Sequence, residues 1–186
     1  MNKIIAVALA ILASPAIAEG TRELDSHEHG VGELNIAFDG NTVAMELHAP
    51  GADIVGFEYA AESAEDRASI DAAVATLARP LDLFVMPAIA ECSVVQASAG
   101  LENEEHDDKE HDADDEEHAD EAGHTEFHAE YTLTCANPEA LSKITFAYFN
   151  FFEHAREIEI QIISASGAEA FEVERDDPIL DLRGMF

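Results

Sequence analysis

Residues 33–48 read ELNIAFDGNTVAMELH, and their alternation decides the fold. Leu34, Ile36 and Phe38 alternate before the turn, and Val43, Met45 and Leu47 alternate after it. A two-residue loop at Gly40-Asn41 pairs Phe38 with Val43, Ile36 with Met45 and Leu34 with Leu47. That register puts all six apolar side chains on one face. Glycine in the first loop position suits a type II′ turn, whose twist matches that of the flanking strands. The stretch is read as an antiparallel hairpin with one buried face.

Working outward, Ser63 precedes Asp66 by three residues, the spacing of a capping box. Ile70, Val74 and Leu77 follow at helical spacing, and Pro80 ends the helix. A short turn over 81–86 stops at Pro87. Residues 92–97 and 126–135 read as strands. Residues 143–152 are apolar and aromatic without a period, so strand and buried helix stay open. Residues 157–163 alternate strictly, and 168–173 return after Ser166-Gly167, a second hairpin. The expected architecture is α+β: an antiparallel sheet built from hairpins with one main helix, and a disordered insertion rich in His, Asp and Glu between two strands.

The first 18 residues are read separately. Lys3, the apolar run 4–12 and Ala16-Ile17-Ala18 have the form of a secretory signal peptide cut after Ala18. The expected product is an exported, periplasmic chain with no membrane insertion after cleavage. It forms a single α+β domain over 19–186, with 101–125 as a low-complexity metal-binding insertion. The net charge of −31 excludes a protein that binds nucleic acid by neutralising phosphate. Two cysteines in an exported chain favour a disulfide between Cys92 and Cys135, the alternative being two buried thiols. The bridge is expected at the base of the insertion. Closing a loop of about 43 residues contributes about 4 kcal/mol in the chain-entropy model.

Residues 102–128 run ENEEHDDKEHDADDEEHADEAGHTEFH, with 14 acidic residues, one Lys and five His. Imidazole suits Zn²⁺, Cu²⁺ and Ni²⁺, and carboxylates add charge neutralisation and further donors. The expected ligands are His106, His111, His118, His124 and His128 with Asp107, Asp112, Glu117 and Asp120. A calcium loop of the D-x-[DN]-x-[DN]-G form is absent. His27 and His29 form a second group with His48, although about 13 Å of extended chain between His29 and Glu33 works against a shared ion. His154 reads first as a surface or capping residue. With no H-E-x-x-H and no G-x-S-x-G, an enzyme is not expected; a metal-dependent hydrolase and a non-metal protein with a solvated or pH-responsive acidic loop are the competing readings.

The segments His27-Glu28-His29-Gly30-Val31-Gly32-Glu33-Leu34-Asn35 and Ala49-Pro50-Gly51-Ala52-Asp53-Ile54-Val55-Gly56-Phe57-Glu58 resemble the ZrgA family of periplasmic zinc-regulated proteins. Cys92, the His-rich insertion, Cys135 and the ending Asp177-Pro178-Ile179-Leu180-Asp181-Leu182 extend the resemblance over the mature chain. It implies a protein that binds Zn²⁺ through its His/Asp/Glu-rich region and supports zinc acquisition beside a zinc ABC importer, with no catalytic activity.

Overall fold

The computed structural model describes residues 28–103 and 125–185. The expected signal peptide with its cleavage after Ala18, His27, and the insertion residues 104–124 lie outside the described residues.

The expected hairpin is β1 (Val31–Asp39) and β2 (Thr42–Pro50). Its pairs are Leu34 with Leu47, Ile36 with Met45 and Phe38 with Val43. Gly40 has φ 57°, the left-handed value that the first position of such a turn needs. Two short helices and the main one follow: α1 (Gly51–Val55), α2 (Ala64–Leu77) and α3 (Pro80–Leu83). The capping box of α2 is present: Asp66 N donates to Ser63 Oγ (2.9 Å), and Ser63 N to Asp66 Oδ2 (3.1 Å). Then come β3 (Phe84–Val85), β4 (Cys92–Asn103), β5 (Thr125–Cys135), β6 (Lys143–Phe146), α4 (Tyr148–Phe151), β7 (Glu157–Ser164), β8 (Gly167–Glu174) and β9 (Ile179–Asp181). The open question over 143–152 resolves as both, a strand and then one helical turn.

Six strands form the main sheet in the order β4-β5-β2-β1-β7-β8, and β3-β6-β9 form a smaller one. The chain is mostly sheet with few helices. The expectation of a purely antiparallel sheet is corrected at one place: β1 and β7 run parallel, with Leu34 beside Ile160 and Ile36 beside Ile162. The matching apolar faces bring these strands together, and nothing local to either fixes their relative direction. One face of the main sheet is the core face, with Leu34, Leu47, Phe127, Leu133 and Ile158 fully buried. Phe84, Phe146, Tyr148, Phe149 and Phe152 pack against each other in the same core. Arg175, just past β8, donates from Nε to Ala155 O (2.9 Å) and from a terminal nitrogen to Phe149 O (2.6 Å). It thereby fixes the turn that follows α4.

The disulfide between Cys92 and Cys135 is present, but its expected place is corrected. Cys92 pairs with Cys135 at one end of the β4–β5 ladder, and Asn103 pairs with Thr125 at the other. The insertion leaves from the second end, roughly 35 Å from the bridge at the usual strand rise. Strand β4 runs to Asn103 because Ala97, Ala99 and Leu101 keep alternating toward the core. A register shift between Val94 and Gln96 breaks the phase and hides that run from a period-two reading. The bridge end is also tied to the first hairpin, since Cys135 N donates to Asn41 O (2.8 Å) and Asn41 Nδ2 to Cys135 O (2.9 Å).

Candidate metal centre

Strands β2 and β5 are adjacent, and their register sets His48 opposite His128. Both strands carry a Glu two residues before the His: Glu46 on β2 and Glu126 on β5. With a period of two, Glu46, His48, Glu126 and His128 all point to the face opposite the core. Leu47, Phe127 and Ala129, their alternating neighbours, are buried on the other side. On β4, Glu102 pairs with Glu126 and joins the group from the outer side.

The rings of His48 and His128 have centroids 4.6 Å apart. Glu46 Oε1 lies 3.6 Å from His48 Nε2 and 3.3 Å from His128 Nε2. On the far side of each ring stands another carboxylate, Glu126 Oε2 at 3.3 Å from His48 Nδ1 and Glu102 Oε1 at 3.5 Å from His128 Nδ1. Among the described residues, Glu46, His48 and His128 form the group whose donor atoms all lie within 4.8 Å of one another. The two rings are partly buried, which limits their rotation.

The group has the donor types that could hold a metal ion, with a further carboxylate behind each ring. A carboxylate can only accept, so in the metal-free chain Nε2 of His128 donates to Glu46 Oε1 (3.3 Å). With a metal on the two Nε2 atoms, Glu126 and Glu102 would accept from the two Nδ1–H groups instead. Two imidazole nitrogens and one carboxylate oxygen leave one tetrahedral position open. The donor set suits Zn²⁺, Cu²⁺ or Ni²⁺, whereas Ca²⁺ and Mg²⁺ take oxygen donors. The surrounding charge also favours a cation. Glu46 stands opposite Glu130, and Glu102 opposite Glu126, like-charge pairs that repel until a cation sits between them.

A metal bound here would compete with protons. Burial opposes charge on His48, but the hydrogen bond to Glu126 and the charges of Glu126 and Glu46 outweigh it, and its pKa is raised above the ordinary 6.5. Burial likewise opposes ionisation of Glu46, but His128 and His48 hold its carboxyl below the ordinary 4.5. The sign for His48 follows. The metal-free fold gains from the charged ring below pH 6.5 and loses that gain as pH rises through the raised pKa. Zinc needs the neutral ring, so its affinity rises over that same window. Zinc titrations between pH 5.5 and 8 are expected to show affinity at this site still climbing above pH 6.5. A pH-independent affinity would exclude histidine ligands.

The other expected ligands distribute as follows. His128 is not a residue of a low-complexity segment; it stands in β5. His29 is not in the group formed by Glu46, His48 and His128; its Nε2 stands 3.7 Å from Glu58 Oε2. His106, His111, His118, His124, Asp107, Asp112, Glu117 and Asp120 lie outside the described residues. Sequence reasoning missed Glu46, Glu126 and Glu102. For Glu46 and Glu126 the signal was the repeated E-x-H on two strands, which acquires meaning only once β2 and β5 are known to be neighbours; Glu102 had none.

A protein-family model described as ZrgA family zinc uptake protein matches residues 26–182. No curated protein matches the chain.

Proposed function

The chain belongs to the ZrgA family of zinc uptake proteins, and from that premise we propose that it is a periplasmic zinc carrier, one that traps or buffers Zn²⁺ and passes it on. The observation that carries this reading is the convergence of two histidine Nε2 atoms on Glu46 Oε1, with a carboxylate behind each ring. An open coordination position suits a carrier, because an incoming ligand from a receiving protein can enter before the old ones leave. Glu46 is itself half-exposed, on a sheet face rather than in a closed cage. Binding without catalysis is the proposed role. A zinc ABC importer is the proposed recipient, and the acidic, His-rich stretch between β4 and β5 is the proposed source of further donors. Among the described residues no helix is long and apolar enough to cross a membrane.

The division of labour is testable by calorimetric zinc titration of the full chain and of a variant in which 104–124 is replaced by a short Gly/Ser linker. The expected result is a lower zinc count in the linker variant with the sheet-site affinity retained. An unchanged count would remove the insertion from the mechanism. Loss of all binding would contradict a sheet site that works without it.

A further inference from the structure

A second set of donors meets where the N-terminal segment, α1 and the turn after α4 come together. Asp53 on α1 is 2% exposed, and its Oδ1 accepts from Gly30 N (2.8 Å). Its Oδ2 is buried and has no hydrogen-bond partner among the described residues. A buried carboxylate oxygen without a partner costs free energy unless something fills the role. Asp53 lines a cleft of about 320 Å³ together with His29, Gly56, Glu153, His154 and Arg156. Glu58 adds a carboxylate beside His29. Three carboxyl side chains, Asp53, Glu58 and Glu153, stand around one guanidinium, that of Arg156, a balance that favours a cation in the cleft. Gly56, at φ 83°, keeps the space open, since a Cβ there would come within 3.3 Å of His154 Nε2.

We propose that this cleft is a second divalent transition-metal site, with Asp53 Oδ2, His29, His154 and Glu58 as its donors. It is not a preformed trio like that on the sheet. Instead a buried carboxylate shares the cleft with two rings that are 65% and 57% exposed and stand beside carboxylates, His29 by Glu58 (3.7 Å) and His154 by Glu153 (3.8 Å), and metal binding requires both rings to turn toward Asp53. Two imidazoles with carboxylate oxygens are a zinc-type rather than a calcium-type donor set. The site shares no residue with the sheet site and stands independently of it.

Equilibrium dialysis against Zn²⁺ alone, with the full chain and its variants, tests it. H29A/H154A and D53N are each expected to bind one ion fewer than the parent, and the four-histidine variant H29A/H48A/H128A/H154A two fewer. The exposed histidines can be removed without disturbing the core, so H29A/H154A decides the matter should D53N fail to fold. A parental count in H29A/H154A overturns the cleft site. A parental count in H48A/H128A overturns the sheet site instead, so the two failures are told apart. As a second readout, the ring resonances of His29 and His154 are expected to shift together on zinc addition; rings that stay unshifted at saturation also overturn the cleft site.

Discussion

The double variant H48A/H128A is expected to lose one bound zinc ion per chain, with affinity at the sheet site falling by at least about 100-fold. Removing only an outer-shell partner of a zinc-ligating histidine typically costs about 10- to 100-fold, so E126Q sets the lower mark and loss of both rings must exceed it. With the imidazoles gone, Glu46 keeps a single oxygen donor on an open sheet face. The metal-free fold should change by only about 1 kcal/mol, because both rings lie on the face opposite the core and their losses are those of partly buried hydrogen bonds. The difference should shrink as pH rises through the raised pKa of His48. Thermal unfolding supplies an independent readout. An ion bridging β2 and β5 binds the folded chain alone and adds about 2.7 kcal/mol at a free concentration 100 times its dissociation constant. The variant should forfeit that increment. If zinc stabilises parent and variant equally, the bridging ion is not there.

The second large effect is on stability and leaves zinc untouched. C92A/C135A is expected to lower unfolding free energy by about 4 kcal/mol, from the entropy of a loop closed across a separation of 43 residues. For a chain of this size that corresponds to a fall of roughly 8–16 °C in the melting temperature. The bridge sits at the end of the β4–β5 ladder away from Glu102, Glu126 and His128. Zinc stoichiometry and affinity at the sheet site should therefore match the parent below the melting transition. A bridge at the base of the insertion would instead have coupled its loss to metal binding. Parallel calorimetry and zinc titration of the same sample separate the two.

The residues that announced themselves in the sequence did so through local periods. The register of β1 on β2 could be written down from six apolar side chains and one glycine, because a two-residue loop leaves no slack. Ser63 and Asp66 announced the start of α2 in the same way. What stayed hidden depended on pairings between segments far apart in the chain. The direction of β7 against β1 has no local signal, and the length of β4 was masked by its bulge near Val95. The candidate metal site sits on the boundary between the two kinds of information. Glu46-x-His48 and Glu126-x-His128 are each visible as strand positions on a polar face. Only the β2–β5 ladder converts two separate histidines into one pair. Composition drew attention to the His-rich run, where His128 was counted by its neighbours rather than by the strand that holds it. Asp53 gave no signal at all, since one Asp in an irregular stretch looks like a turn residue until its burial is known.

The most direct measurement is an anomalous difference map at the zinc edge from crystals of the full chain grown with Zn²⁺. The predicted result is a peak about 2.0–2.1 Å from Nε2 of both His48 and His128 and about 2.0–2.2 Å from Glu46 Oε1, with Glu126 and Glu102 still facing the two Nδ1 atoms. A zinc-loaded crystal with peaks elsewhere and none between these two rings would contradict the account.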